Sequence, residues 1–500
     1  MNAHDPAKDL TVSKTDSTAA AKHAADTRSA KRMTMITESS IASFVTAFES
    51  FERDSAAPPA WLSRVRKAAL ERFCELGVPT VRDEDWRFTN LSRLTRSDYS
   101  INVGPADIAL ADIAPHAFAD EGWSRLVLLN GRYCASASEL GELPRGVEVM
   151  SLAEALVRHG EEVERHLTKH ADFDNKALVA LNTAFLSDGA FVHVPRGVHV
   201  ERPIVLLHVN TPSAAPAMSH PRTLIVADES SQVSLVESYL GLGDGVSFNN
   251  AVTELVAGPN ANVDHYKVQR ESEAAFHIGS LRIQQARDSK VSSHSLAVGG
   301  GLVRNEVHAV LDGEGADCVL NGLYVTHNDQ HVDNHLRVEH AKPHCNSWEF
   351  YKGILDDRSS AVFTGRIFVH EDAQKTDAKQ SNNNLLLSKD ARIDTKPQLE
   401  IFADDVRCTH GATIGQLDDE AVFYLCSRGI DRDAARSILI YSFAGESLGQ
   451  IKLEPLRDQL QKTFLERLPH GEMLRAGSPL FYGHDFAQHI RATDRRRESY

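Results

Sequence analysis

The residues best suited to chemistry lie between Phe363 and Gly429. A thiol and an imidazole, Cys408 and His410, stand two residues apart, and an amide row, Gln380, Asn382 and Asn384, repeats with the same step. On an extended chain, residues i and i+2 point to one face, so each set is co-facial if its segment is a strand. A thiolate and a neutral imidazole are ligands for zinc or iron, and a thiolate can carry sulfur. Two ligands do not complete a tetrahedral site. The rest must come from elsewhere in the chain or from a second chain, unless the pair is only a buried cysteine beside a surface histidine. A second concentration, His327, His331, His335, His340 and His344 around Asp333, admits two readings: a metal constellation centred on His331 and His335, or polar turns and an interface.

These residues need a frame that holds extended chain. From Phe173 onward, short Val-, Ile- and Leu-rich runs alternate with Pro, Gly, Asn, Asp and Ser, and no helical period is visible for some 250 residues. Within the chemical stretch, Gly365 to Val369, Leu385 to Leu387, Gln398 to Phe402 and Ala421 to Leu425 read as strands. Small turn segments recur loosely at Ser230-Ser231, Asn260-Ala261, Ser289-Lys290, Gly315-Ala316, Ser359-Ser360 and Asp390-Ala391, with one longer gap after Ala316. Strands without intervening helices allow a sandwich, a barrel or a parallel β-helix. The amide row favours the β-helix, where Asn and Gln stack into ladders between coils.

Helices flank this region. Ile41 to Phe51 reads as one. A second carries Leu62, Val65, Ala69, Phe73 and Leu76 on one face and Gly77 at its end. A polar stretch follows, with Trp86 and Phe88 as expected core anchors. Leu126 to Leu129 reads as a strand before an Asn130-Gly131 turn, and Ser151 with Glu154 forms a capping-box pattern. Helix returns at Asp431, with Ala434, Ala435, Ile438, Leu439 and Phe443 on one face, and again over 451–467. The expected domains are a disordered extension at 1–37, a mostly helical domain at 38–172, a β core at 173–426 and a helical domain at 427–500.

The totals exclude several classes. Net charge is −15, against a nucleic-acid binder. Six cysteines without a CxxC fit a reducing, cytoplasmic setting rather than a disulfide framework. No apolar run is long enough to span a membrane. There is no GxxxxGK[ST], GxSxG or HExxH, so any ATP hydrolysis must come from a partner.

Longer runs carry a resemblance. AQKTDAKQSNNNLLLSKDARIDTKPQLEIFADDVRCTHGATIGQLD (Ala373 to Asp418), NTAFLSDGAFVHVPRGVHVERPI (Asn182 to Ile204), HAKPHCNSWEFYKGIL (His340 to Leu355) and SRGIDRDAARSILIYSFAGE (Ser427 to Glu446) resemble the SufB/SufD family of the SUF iron–sulfur cluster assembly machinery. DEDWRFTNLSRL (Asp83 to Leu94) is similar to the amino-terminal domain of its SufD branch. The resemblance implies a right-handed parallel β-helix between helical domains. It implies a scaffold subunit without enzymatic activity, paired with a SufB-like paralogue and docked to a SufC-like ABC ATPase. A homodimer is left open when the paralogue is absent. Cys408 and His410 match the family's Cys-x-His positions, which implies a transient iron–sulfur cluster shared with the partner and none bound tightly by the chain alone. The helix with Asp431, Ala434, Ala435, Ile438, Leu439 and Phe443 matches the ATPase-docking element. Two rival readings are a β-helix enzyme acting on carbohydrate and an autonomous metal enzyme using His327, His331 and His335.

Overall fold

The structure, a computed structural model, describes residues 41–101, 108–116, 118, 122–211, 213 and 215–468. The expected 1–37 extension and the end of the carboxy-terminal domain lie outside the described residues. The centre is a parallel β-solenoid. Consecutive strands alternate between two sheets, and each pairs in parallel with the strand one coil later. One sheet runs through Ser247–Ala257, Phe276–Gln285, Leu302–Leu311, His331–His340, Ser360–Val369 and Arg392–Ile401. The other runs through Gln232–Gly241, Asn262–Arg270, Lys290–Ala297, Asp317–Thr326, Asn346–Leu355, Asp377–Leu386 and Arg407–Gly415.

Coil length is set at the corners. Ser230, Asn260, Asp288, Gly315, His344 and Lys375 all take left-handed backbone, with φ of 58, 57, 55, 75, 60 and 63°. Each donates its N–H to a carbonyl of the next coil, from Ser230 to Pro259 at 2.8 Å through to Lys375 to Asp405 at 2.7 Å. Asn, Asp and Gly suit this conformation. Ser359-Ser360 and Asp390-Ala391 lie at the opposite corner, which explains the long gap in the turn repeat: the spacing there crosses from one corner to the other.

Alternate side chains point inward and stack in rows. Glycine makes room for the large ones. A Cβ on Gly322 would lie 2.1 Å from the Tyr351 ring, and one on Gly353 would lie 2.3 Å from the Tyr324 ring. Gly322 pairs with Tyr351 and Tyr324 with Gly353, so the two rings interlock across adjacent coils. The amide row is inward and buried, as its spacing predicts, but it is not a ladder between coils. Its partners one coil away are Glu349, Tyr351 and Gly353 on one side and His410, Ala412 and Ile414 on the other. Asn384 instead donates to Asn382 within its own strand at 2.7 Å, and Asn382 donates to the Tyr324 hydroxyl at 3.1 Å.

Three local expectations are corrected. Ala421 to Leu425 is not a strand; it lies in the helix Asp419–Cys426, whose start Asp418 caps by accepting from the Glu420 N–H at 2.9 Å. A short apolar run has no decisive period, and the acids before it are helix-start residues. The helix Ala177–Ala184 falls where none was expected, because it is buried on all sides and shows no amphipathic stripe. Phe88 is 43% exposed and anchors nothing, whereas Trp86 is buried.

The flanking helices cover the sheets. Residues 41–54, the helix Ala60–Leu76 and Ala177–Ala184 pack on the first sheet through Phe44, Phe73, Leu181, Phe248 and Ile278. Arg432–Leu448 and Glu454–Leu465 pack on the second through Ile440, Leu456, Phe464, Val268 and Ile354. The amino-terminal segment also supplies strands: Ser124–Leu129 pairs in parallel with Ile204–Asn210, and Glu148–Ser151 pairs antiparallel with Gly189–Val194. Two buried charge clusters fasten that segment. Arg304, under the Trp86 ring at 3.9 Å, binds Asp333 and Glu306, and Thr89 donates to Asp333 at 2.6 Å. Arg222 and Glu254 pair at 2.6 Å with both side chains fully buried. Glu254 also accepts the N–H groups of Thr168, His170 and Ala171, and Arg222 donates to Asn182.

Removing one partner of such a pair strands the other charge. Glu254→Ala is expected to lower stability by about 3–5 kcal/mol, read from the urea midpoint. A loss below about 1 kcal/mol, the scale of a surface pair, would show that the cluster does not clamp the amino-terminal segment.

Candidate functional site

The two ends of the solenoid differ. At the first, the sheets finish in antiparallel strands, Arg132–Tyr133 and Glu148–Ser151. At the other, Arg392–Ile401 and Arg407–Gly415 each have a neighbour on one side only. Among the described residues their outer edges are unpaired, and the inward row of the final coil opens to solvent. Ile401, Phe402 and Ile414 are large apolar side chains exposed there.

Cys408 and His410 sit on this final strand. Register places Cys408 over Ala378 and His410 over Gln380, so both continue inward-facing rows, as the extended reading requires. Cys408 packs half-buried against Ile367, Val369, Ala378 and Ala403. Burial pushes its thiol above the ordinary value, so it remains protonated at neutral pH until a cation or a base draws the proton away. His410 is exposed, with no hydrogen-bond or ion-pair partner among the described residues. Its ring is free to ligate. Among the described residues no group of three His, Cys, Asp or Glu side chains is arranged to hold a metal ion. Half-buried Cys408 and exposed His410 stand side by side on the inward row of an end coil that has no further coil over it among the described residues.

Two coils behind His410 lies a residue that the sequence reading did not single out. Glu349 is fully buried and accepts from Gln380 Nε2 at 2.6 Å. Its Oε1 and the Gln380 Oε1 have no partner. Burial without a cation pushes the Glu349 carboxyl up to about 8, so it is a neutral acid at pH 7. Glu349, Gln380 and His410 form one inward row through successive register pairs. Their separation by one coil length was the available signal, legible only once that length was known.

The histidine concentration is dispersed. His331 is engaged at both nitrogens, by Thr89 at 2.9 Å and Ser360 at 2.8 Å. His335 faces the same outer side, 3.9 Å from Asp85, and burial lowers it to about 4. Both lie at the seam with the amino-terminal segment. His327 contacts Glu273 at 2.9 Å, His340 points inward to Ser347, and His344 turns a corner.

On the carboxy-terminal helix, Asp431 is the N-cap, accepting from Asp433 N–H at 2.9 Å. Ala434 and Ala435 are buried, and Ala435 packs with Val422 and Leu425 against partly buried Ile438 and Leu439. Phe443 lies under Lys352 Nζ at 4.3 Å. The free apolar surface of this region is on the preceding helix, where Phe423 is 73% and Tyr424 46% exposed.

Two family models and several relatives match this chain. The family model described as SUF system FeS cluster assembly, SufBD core domain, matches residues 208–443. The SufBD protein N-terminal region matches 38–206. The chain is 35% identical over 405 residues to an iron–sulfur cluster assembly SufBD family protein of Synechocystis, covering 79% of this chain and 89% of that one. It is 32% identical over 410 residues to the iron–sulfur cluster assembly protein SufD of Escherichia coli, covering 80% and 92%. It is 30% identical over 426 residues to the chloroplastic protein ABCI7 of Arabidopsis thaliana, covering 82% and 88%.

The raised Glu349 carboxyl gives a signed pH effect. Between its ordinary value, 4.5, and about 8 the folded chain holds a proton that the unfolded chain has released. Stability therefore falls as pH rises through that window and levels off above it. Glu349→Gln keeps the shape of the neutral acid and removes the proton. The melting temperature of the variant should fall less than that of the wild type between pH 5 and pH 8; parallel curves would place the carboxyl in the ordinary range.

Proposed function

The chain belongs to the SufBD family of iron–sulfur cluster assembly proteins, and we propose that within that work it is a non-enzymatic scaffold whose open solenoid end meets a SufB-like partner. The observation that carries this reading is the incomplete final coil. Two sheet edges unpaired among the described residues, exposed Ile401, Phe402 and Ile414, and the co-facial pair Cys408 and His410 coincide there. Unpaired edges of this kind invite strand pairing with another chain.

Iron or the nascent cluster is the substrate of this site, not a resident cofactor. The exposed His410 ring offers a lone pair, and Cys408 offers a thiol that becomes a ligand when its proton leaves. The partner supplies the remaining ligands. The absence of a phosphate-binding loop in the sequence supports a division of labour in which a SufC-like ATPase hydrolyses the nucleotide. That ATPase docks on the carboxy-terminal helices. Buried Ala435 packs the two helices together against Val422 and Leu425, and Phe423 and Tyr424 form the face offered to the ATPase. Lys352, bonded to the Phe443 carbonyl at 3.1 Å, ties the docking helix to the coil that carries Glu349. No helix among the described residues is long and apolar enough to cross a membrane, and the setting proposed for the complex is the cytoplasm.

Two variants test the reading. His410→Ala in the purified complex should leave assembly of the three chains intact and reduce cluster formation by at least tenfold, measured by visible absorption during reconstitution; a wild-type rate would remove His410 from the site. Ile414→Lys places a charge on the open edge, where the free chain tolerates it. The variant should melt with the wild type and fail to co-purify with the SufB-like partner. Normal co-purification would place the interface elsewhere.

A further inference from the structure

The interior behind Cys408 and His410 holds a buried carboxyl with no cationic partner among the described residues. We propose that Glu349 is a charge-compensating residue for this end of the solenoid: it fixes Gln380 beneath His410 and releases its carboxyl proton when a cation is seated on Cys408 and His410. The proposal rests on the reading of those two residues as a ligand pair.

Three observations carry it. First, Glu349 is 2% exposed, has no cationic partner, and leaves Oε1 unbonded. A purely structural acid at such depth is paired or fully hydrogen-bonded, as Glu254 is in this same molecule. Second, the space for its partner is carved out. A Cβ on Gly365, on the opposite sheet, would lie 2.1 Å from Gln380 Nε2, so glycine there lets the amide lie across the interior. Third, Glu349 and Gln380 occupy consecutive rungs of the row that ends in His410.

The surroundings leave Glu349 free to respond. On its own sheet it lies near Cys318 and Tyr351, both pushed upward chiefly by burial, with Glu349 adding to the shift. Beyond Gln380 stand His410 and Cys408. The opposite sheet turns Leu336, Val338, Gly365 and Ile367 inward, and its inward titratable group, His340, bonds Ser347 at 2.9 Å. No fixed charge holds the carboxyl in either form. A cation at the final coil is two strand spacings away, about 10 Å. At that distance each positive charge lowers the proton affinity of the carboxyl by about tenfold. A divalent ion on the Cys408 thiolate adds one net positive charge, which brings an acid that titrates near pH 8 down to about 7 and ionises about half of it at neutral pH. In that step the Glu349 O–H bond breaks, the proton passes to water at the open end, and the carboxylate left behind offsets part of the metal charge.

The test uses the complex of the full chain with its SufB-like partner and cobaltous ion as the probe. Protons released per bound ion are counted at pH 7 in weakly buffered solution. The wild type should release about half a proton more than Glu349→Gln, and the affinity of the variant should rise less steeply with pH by about the same amount. The wild-type complex should also lose about half the intensity of one buried protonated-carboxyl band in its infrared difference spectrum on loading, a readout independent of whether the variant folds. Equal proton counts, or a band that keeps its full intensity, overturn the proposal while leaving the ligand pair intact. If the wild type binds no cobalt, or His410→Ala binds it equally well, the reading of the ligand pair fails and the proposal falls with it.

Discussion

The structure depends on in-register stacking of coils. A parallel solenoid works only if each strand meets the next at the same residue step, because a slip of one residue would turn every inward side chain outward. Left-handed residues from Ser230 to Lys375 fix that step at one corner through hydrogen bonds to the following coil. Inside, residues are chosen by what lies on the neighbouring rung: glycine beside tyrosine at Gly322 and Gly353, and glycine opposite an amide at Gly365. Stacking also has a consequence at the ends. A coil that could accept another coil above it must be closed or shared. The amino-terminal strands close the first end with antiparallel pairs, and the described residues leave the last end open. Cys408 and His410 are functional candidates because of where the stacking stops.

The flanking helices are held by a different kind of contact. Arg304 with Asp333, and Arg222 with Glu254, are ion pairs buried between the amino-terminal segment and the first sheet. Such pairs add little net stability over apolar packing, but a wrong docking of the segment would leave a charge uncompensated. They thereby fix one position for the helices. On the second sheet the docking of Arg432–Leu448 is mainly apolar. Glu349 stands apart from both arrangements, since its carboxyl remains uncompensated within the solenoid.

Much of this was legible in the chain. Strand alternation, the helix from Asp431 and the co-facial step of Cys408 and His410 follow from period and turn chemistry. The resemblance through Ala373 to Asp418 turned an open choice of β architecture into a solenoid. What stayed hidden depended on contacts a coil or more away. The buried helix Ala177–Ala184 shows no stripe because it is covered on every side. The amide row reads as a ladder until Tyr324 is seen reaching it from two coils away. His331 reads as a ligand until Thr89 and Ser360 take both of its nitrogens. Glu349 sits in an unremarkable run, Trp348-Glu349-Phe350, and only register brings it behind His410.

The central claim is that the final coil is a shared edge. Hydrogen–deuterium exchange of the amides in Arg407–Gly415, compared between the free chain and its complex with the SufB-like partner, tests it most directly. Exchange should be fast in the free chain and strongly protected in the complex, with the protection confined to this strand and to Arg392–Ile401. Unchanged exchange in a complex that has formed would place the partner on another surface and contradict it.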